Sequence, residues 1–127
     1  MDCQLEKVAK KVLDTAYGIH TKFGSGLLEN AYQIILATEL RKFGFKVETE
    51  KDCSFSYNGT DYHHAYRIDM LINDELILEL KSCKEMSQVF AKQLLTYLRL
   101  SGHRLGFVIN FGMDSLKHGI VRVVNHY

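Results

Sequence analysis

Two short segments, residues 67–69 and 79–81, place charged side chains in surroundings that are otherwise apolar. Burying a charge costs free energy unless the charge is paired or bound to a metal ion. Glu79 and Lys81 are two residues apart, so on a β-strand both side chains point to one face while Leu80 points to the other. The spacing therefore makes a carboxylate and an amine close neighbours.

Asp69 joins this group in only one of two possible strand registers. A two-residue loop between the segments pairs Asp69 with Leu78. A three-residue loop over residues 73–75 instead sets Asp69 directly opposite Glu79, with β-carbons about 4.5–5.5 Å apart. Catalysis requires the second register or a bulge.

Two carboxylates held this close repel each other, and a divalent cation relieves that repulsion. Oxygen ligands of this kind suit Mg²⁺ or Mn²⁺, and such a cation polarises a phosphoryl oxygen and acidifies a bound water. Lys81 would then stabilise the developing negative charge or position the water. The alternative is an ordinary salt-bridge network among Asp69, Glu79 and Lys81, which the E-x-K spacing alone favours.

The hydrophobic periodicity predicts the elements that position these side chains. Helices are expected over residues 5–23, from 26 or 27 to about 43, and over 87–100. Strands are expected over residues 45–51, 53–57, 67–72, 76–81, 105–111 and 119–124, with a hairpin turn at Asn58-Gly59. This order predicts an α/β fold in which helices flank a mixed sheet.

The composition of the 127 residues, 46% hydrophobic and without proline, predicts a single domain over residues 1–127. The three cysteines are odd in number and show no C-x-x-C spacing, which favours a reducing, cytoplasmic location. No segment has the apolar length of a leader or a membrane span. The formal net charge of +1 gives no overall electrostatic argument for a nucleic-acid partner.

Further segments upstream and downstream complete a recognisable pattern: residues 26–32 (GLLENAY), 93–97 (QLLTY) and 109–112 (INFG). Together with the charged segments they resemble the GxxExxY family, a branch of the PD-(D/E)XK nuclease superfamily. The likeness runs from about Leu5 to Val124. It implies a restriction-endonuclease-like αβββαβ core and a metal-dependent nuclease acting on DNA more than on RNA.

The resemblance implies a catalytic set drawn from two helices and two strands. Glu29 would be a further metal ligand, directly or through water. Gln93 and Tyr97 match the Q-x-x-x-Y element of RecB-like members and, being four residues apart, share one helical face. The Gln amide can orient the lysine or a water and the Tyr hydroxyl can contact a phosphate, whereas core packing is the alternative for Tyr97. The predicted catalytic residues are Glu29, Asp69, Glu79, Lys81, Gln93 and Tyr97, and the predicted metal ligands are Glu29, Asp69, Glu79 and Leu80.

Four cationic or titratable residues are predicted to contact substrate: His20, Lys84, Lys92 and Arg99. The last three, with Gln88, lie along one stripe of the third helix and could follow a phosphate backbone, although charge on an exposed helix is usually only solvated. The family often has a histidine near the position of His20, for which a packed, hydrogen-bonded role is the alternative.

Two residues of the family motif are interpreted as structural. Gly26 would allow a positive φ or a close approach of two backbones. The hydroxyl of Tyr32 would support the Glu29 carboxylate, unless the ring is simply packed with a solvated tip.

The leading hypothesis is therefore a Mg²⁺- or Mn²⁺-dependent nuclease. A module that binds nucleic acid or protein without catalysis is the main alternative, and a hydrolase of small phosphoesters, which would need a closed pocket, is the third. A homodimer is possible because a domain this small offers a short track for a polymer.

Overall fold

The computed structural model describes residues 2–126, so residues 1 and 127 of the predicted domain lie outside the described part. The chain begins with two helices, α1 (Cys3–Phe23) and α2 (Glu29–Lys42). The carboxylate of Asp2 caps α1 by accepting a hydrogen bond from the backbone N–H of Gln4 at 2.8 Å. Gly24, at φ +71°, ends α1 in a conformation that favours glycine.

Five strands form one sheet in the order β1-β2-β3-β4-β5. Neighbouring strands are antiparallel except β3 and β4, which are parallel and are joined by helix α3 as a crossover. The elements after α2 are β1 (Val47–Tyr57), β2 (Thr60–Ile72), β3 (Leu76–Lys81), α3 (Gln88–Ser101), β4 (Leu105–Asn110), a short 3₁₀ turn (Leu116–Gly119) and β5 (Ile120–Val124).

The predicted α/β fold, a mixed sheet flanked by helices, is confirmed and is consistent with a restriction-endonuclease-like fold. Several element ends differ from the prediction by one to three residues, as at Glu29, where α2 begins, and two differences are larger. The strands predicted over 45–51 and 53–57 form one strand, and β2 begins seven residues before the predicted Arg67 because the Asn58-Gly59 turn continues directly into it. All of these added residues except the half-buried Tyr66 are exposed, so burial imposes no regular alternation on them.

Apolar side chains cover both faces of the sheet. On one face, α1 and α2 pack against residues such as Leu78, Leu80 and Ile109. On the other face, Leu94 and Leu98 of α3 pack against residues such as Ile77 and Val108. Because every residue from Leu76 to Leu80 is buried, β3 is the central strand that its apolar sequence predicts.

The usual alternation of side chains breaks where β1 and β2 leave the core. Met70 and Ile72 pack with α1 and α2, but Ile68 packs with α3. The pairs Thr49–Met70 and Lys51–Ile68 place Glu50 opposite Asp69 at this break, and Glu50 has φ +50°. A left-handed residue inside a strand changes its twist, so the hairpin turns to the α3 side at Asp69.

Asn110, at the end of β4, fixes the loop that follows β3. Its side chain is fully buried, and its Oδ1 accepts hydrogen bonds from the backbone N–H groups of Cys83 and Gly112, both at 3.0 Å. Its Nδ2 donates to the carbonyl oxygen of Glu85 at 3.3 Å. The segment after Lys81 is therefore tied to the neighbouring strand.

The close approach of Gly112 to this loop gives the first testable prediction. A β-carbon at Gly112 would lie 2.6 Å from the backbone oxygen of Cys83 and 2.7 Å from the carbonyl carbon of Ser82. Since backbone cannot move aside cheaply, we expect Gly112→Ala to lower the free energy of unfolding by about 1–3 kcal/mol, measured by urea denaturation. Gly18→Ala, in α1 with open space around it, is the control and should raise stability by about 0.5–1 kcal/mol. Equal stability of Gly112→Ala and the unmodified protein would contradict this account.

Candidate active site

The register of the β2–β3 hairpin brings Asp69 and Glu79 together. Ile72 pairs with Leu76 and Met70 with Leu78, so the loop has three residues and the next opposed positions are Asp69 and Glu79. The three-residue register required for catalysis is thus the one adopted.

The two carboxyl groups take over hydrogen bonding where the regular ladder ends. The backbone N–H of Leu80 donates to Oδ2 of Asp69 at 2.7 Å. The backbone N–H of Asp69 donates to Oε1 of Glu79 at 3.3 Å. Each carboxyl group is therefore anchored to the opposite strand, which fixes its position before any ligand binds.

Burial strongly perturbs the protonation of this acidic pair. Glu79 is only 5% exposed, and burial, followed by the charge of Asp69, raises the pKa of Glu79 to about 9. Burial also raises the pKa of Asp69, against the opposing effect of the Leu80 N–H. Glu79 is therefore protonated at neutral pH in the metal-free protein, because two adjacent charges in this environment are unfavourable.

Lys81 lies beside the pair without forming an ordinary ion pair with it. Its Nζ lies 4.8 Å from the ring centroid of Phe90 on the loop-proximal turn of α3. Its positive charge acts to lower the pKa of both Asp69 and Glu79. Among residues 2–126, none of the ion pairs within 4.0 Å involves these three side chains. The salt-bridge network considered as the alternative is therefore not the arrangement observed.

Glu29 lies at the start of α2, close enough to the pair to interact with it electrostatically. Burial raises the pKa of Glu29, and Asp69 adds to this effect while Lys81 opposes it. The helix is held near β3 because the hydroxyl of Ser82 donates to the carbonyl oxygen of Leu27 at 2.8 Å. The neighbouring elements screen its carboxyl group only partly, and Glu29 as a residue is exposed, unlike Glu79.

No three histidine, cysteine, aspartate or glutamate side chains within residues 2–126 are gathered as a preformed metal site. The structure brings two of the predicted acidic ligands together and leaves Glu29 nearby. Leu80 packs its side chain with α1 and α2, so only its backbone carbonyl oxygen could serve as a ligand. The oxygen donors of Asp69 and Glu79 nevertheless fit a hard divalent cation, which would offset the cost of burying both charges.

Tyr97 is both packed and close to the acidic pair. Its ring stacks on Tyr66 of β2, with centroids 4.9 Å apart and planes 20° apart. Burial raises the pKa of Tyr97, the charges of Glu79 and Asp69 add to this, and a hydrogen bond with Gln93 opposes it. The two residues of the Q-x-x-x-Y element therefore share one face of α3 on the side of β2.

The predicted substrate stripe lies on a different side of α3. Lys92 lines a cavity with Val121 of β5, and Arg99 lines another with Val124 of the same strand. Because β5 and β2 lie on opposite sides of the β3–β4 pair, this stripe runs beside the acidic pair rather than across it. Lys84 lies in the loop before α3, so its predicted place on the helical stripe is wrong.

His20 has the packed role of the alternative interpretation. Its Nε2 donates to the carbonyl oxygen of Met113 at 2.8 Å, which connects α1 to the segment after β4. The side chain is half-buried. A contact of His20 with substrate stays a prediction.

The family-motif residues shape the turn before Glu29. The hydroxyl of Tyr32 donates to the carbonyl oxygen of Gly24 at 2.5 Å and accepts from the N–H of Leu27 at 3.1 Å, so it supports the turn rather than the Glu29 carboxylate. The expectation for Gly26 is wrong. Its φ is not positive and it has open space around it, whereas Gly24 adopts the left-handed φ.

Glu50 is a neighbour of the site that the sequence alone did not reveal. It faces Asp69, and its charge raises the pKa of both Asp69 and Glu29. Its carboxylate also lies 3.7 Å from Nε of Arg67. The Asn58-Gly59 turn by itself would place Glu50 opposite Arg67, and the register shift between Cys53 and Phe55 moves it opposite Asp69. No sequence signal indicates that shift, so this proximity could not be inferred.

Comparisons with known proteins support the resemblance at the level of the superfamily. A family model described as the PD-(D/E)XK nuclease superfamily matches residues 6–123. No curated protein and no solved structure matches the chain. In the described part of the chain, no helix carries an apolar stretch sufficient for a membrane crossing.

The protonation of Glu79 predicts the pH dependence of stability. Because the pKa is about 9 in the folded protein and near 4.5 ordinarily, the folded state retains a proton that the unfolded chain releases. The contribution of this proton to the free energy of unfolding is therefore complete below pH about 4.5, and it is lost as the pH rises towards about 9. We expect the unfolding free energy of the metal-free protein, measured with urea in EDTA, to fall over this range.

Glu79→Gln should flatten this profile, because the amide does not titrate. The exposed Glu85 provides the control, since Glu85→Gln should keep the slope. Parallel profiles for Glu79→Gln and the unmodified protein would contradict the assignment.

Proposed function

Because the chain belongs to the PD-(D/E)XK nuclease superfamily, we propose that it is a metal-dependent nuclease that hydrolyses phosphodiester bonds, in DNA more than in RNA. The observation that carries this proposal is the register of the β2–β3 hairpin. It sets Asp69 opposite Glu79, with Lys81 two residues further along the same strand face. An E-x-K sequence on a strand without this register would lack the second carboxyl group, that of Asp69.

Asp69 and Glu79 would hold Mg²⁺ or Mn²⁺, with Glu29 as a further ligand, directly or through water, and the Leu80 carbonyl oxygen as another. When bound, the cation would supply polarisation of a phosphoryl oxygen and a more acidic water. Glu79 must lose its proton for this role, since a ligating carboxylate is deprotonated. Metal affinity should therefore increase as the pH rises.

Lys81 would stabilise negative charge as it develops on the phosphate. Its ammonium group is held against the ring of Phe90 and stays near the carboxyl pair, so little reorganisation would accompany the reaction. Gln93 would orient the lysine or a water, and the hydroxyl of Tyr97 would contact a phosphate oxygen. The stack of Tyr97 on Tyr66 supports this role because it fixes the direction of the ring.

We also propose that the chain is a GxxExxY-type member acting as one domain over residues 1–127. The spacing of Gly26, Glu29 and Tyr32 supports this assignment, together with the turn that Tyr32 fixes before Glu29. The three cysteines are free, which agrees with a reducing, cytoplasmic location.

Cleavage of labelled DNA oligonucleotides with Mg²⁺ or Mn²⁺ tests the proposal. We expect Asp69→Asn to reduce cleavage to background and Lys81→Met to lower kcat by about 10²–10³-fold, as for the loss of one stabilising donor. Lys10→Met is the control, because Lys10 is an exposed residue of α1 on the other face of the sheet. Far-UV circular dichroism checks that each variant folds.

Two outcomes would overturn the nuclease proposal. Binding without turnover under either metal, unaffected by Lys81→Met, would instead indicate a non-catalytic module that keeps the fold. Metal-dependent cleavage that survives both Asp69→Asn and Lys81→Met would place the chemistry elsewhere.

The phosphate backbone would be held by Lys84, Lys92 and Arg99. All three are exposed, and Lys84 lies three residues after Lys81. We expect Lys92→Ala and Arg99→Ala each to weaken oligonucleotide binding and to reduce the slope of log K against log salt by about one. Fluorescence anisotropy at several salt concentrations measures this slope, and an unchanged slope would exclude that residue from phosphate contact.

A further inference from the structure

The β1–β2 hairpin continues beyond the acidic pair as a projecting arm. We define this hairpin arm as residues 54–65, which centre on the Asn58-Gly59 turn. Neither apolar core cluster includes any of these residues, and all are exposed except the half-buried Phe55. The arm is therefore a two-stranded ribbon without a covering layer.

The side chains of the arm have an unusual chemical composition. From Ser54 to His64 the side chains are aromatic, imidazole, hydroxyl or amide, apart from the carboxylate of Asp61, and none is aliphatic, lysine or arginine. Phe55 and Tyr62 stack with centroids 5.3 Å apart. Tyr62 is 44% exposed and Tyr57 is 63% exposed, so flat ring surfaces face solvent.

These rings continue an aromatic row that starts at the candidate active site. Cys53 pairs with Tyr66, and both pack on the α3 side, where Tyr66 stacks on Tyr97. Phe55 follows Cys53 by two residues and pairs with Tyr62, beyond a register shift between Cys53 and Phe55. The Tyr66–Tyr97 stack beside the carboxyl pair, the Phe55–Tyr62 stack and Tyr57 near the turn thus follow one another along the hairpin.

We propose that the arm binds unpaired nucleobases by stacking, so that the substrate of the proposed nuclease has a single-stranded segment. Aromatic side chains bind bases without sequence preference because every base has a π-face. A base inside a duplex is already stacked on its neighbours and cannot offer that face. The inference rests on the proposed function for the cleavage step, but binding by the arm can be measured separately.

The alternative occupant, a second copy of the chain, is less well matched to this surface. The outer strand β1 carries Glu48, Glu50, Lys51 and Asp52 along its length, and charges on an edge strand disfavour strand addition. Between the rings lie hydroxyl, amide and imidazole groups and the carboxylate of Asp61, which offer hydrogen bonds to base edges beside the π-faces.

Fluorescence anisotropy in EDTA, where cleavage is absent, tests the proposal with three labelled probes of about 12 nucleotides. These are a single-stranded oligothymidylate, an abasic oligomer with the same backbone, and a blunt duplex. We expect the oligothymidylate to bind more tightly than either of the other two. Because the arm has no lysine or arginine, the ratio of the oligothymidylate affinity to the abasic-oligomer affinity should change little with salt.

Substitutions at Tyr62 separate stacking from apolar contact. Tyr62→Phe keeps the ring and should retain binding, whereas Tyr62→Leu keeps an apolar side chain without a π-face and should weaken oligothymidylate binding about fivefold or more. Tyr57→Leu should act similarly, and the double variant should bind oligothymidylate and abasic oligomer alike. Tyr17→Leu, an exposed tyrosine on α1, is the control, and thermal melts check folding.

The failures of the two proposals are distinguishable. The stacking inference is overturned if the three probes bind equally, or if Tyr62→Leu binds oligothymidylate as tightly as Tyr62→Phe does. Either result counts even if metal-dependent cleavage is present. The inference is also overturned if sedimentation velocity shows a dimer that Tyr57→Leu and Tyr62→Leu abolish while oligonucleotide binding is unchanged. That result would identify the arm as an interface between copies of the chain. Base-dependent binding without cleavage under any metal supports the arm while refuting the nuclease.

Discussion

The cost of placing two carboxyl groups side by side in a buried position constrains the whole molecule. Glu79 belongs to the central strand, where both faces of the sheet are covered, so its charge cannot be solvated. The protein holds the pair with backbone N–H groups and keeps Glu79 protonated at neutral pH. In the proposed function, a divalent cation would take the place of this proton.

The rest of the fold maintains this arrangement. The three-residue β2–β3 loop sets the register, and the parallel crossover through α3 brings Tyr97 over the same face. Asn110 ties the loop after Lys81 to β4, and Ser82 ties it to the turn before α2. The β2–β3 hairpin, α3, β4 and the turn before α2 therefore meet at the end of β3.

The sequence predicted the elements well because their periodicity reflects burial. The apolar run of β3, the helical repeat of α3 and its Ser87 cap have local causes that can be read directly. The site was predictable to the extent that it depends on spacing along one strand, as for Glu79 and Lys81. For Asp69 the sequence leaves two strand registers open, and only the three-dimensional structure distinguishes them.

The remaining features depend on long-range geometry that leaves no local pattern. Glu50 is near Asp69 because of strand pairing and a left-handed backbone, which is uncommon for glutamate. The positive φ expected at Gly26 occurs two residues earlier, at Gly24, where α1 ends. Helical spacing predicts the hydroxyl of Tyr32 near Glu29, but in the structure it donates a hydrogen bond to the carbonyl oxygen of Gly24 in the preceding turn.

The exposed construction of the hairpin arm has a consequence for the local stability of the molecule. The ribbon is held by its own strand pairing, one aromatic stack and exposed side-chain contacts such as Ser56–Asp61 and His64–Asp52. It can open without disturbing the core, whereas β3 is released only when both apolar layers separate. Amide hydrogens of residues 54–65 should accordingly exchange with solvent far sooner than those of β3. The molecule thus combines an exposed outer ribbon with a buried acidic centre, and local opening of the first need not loosen the second.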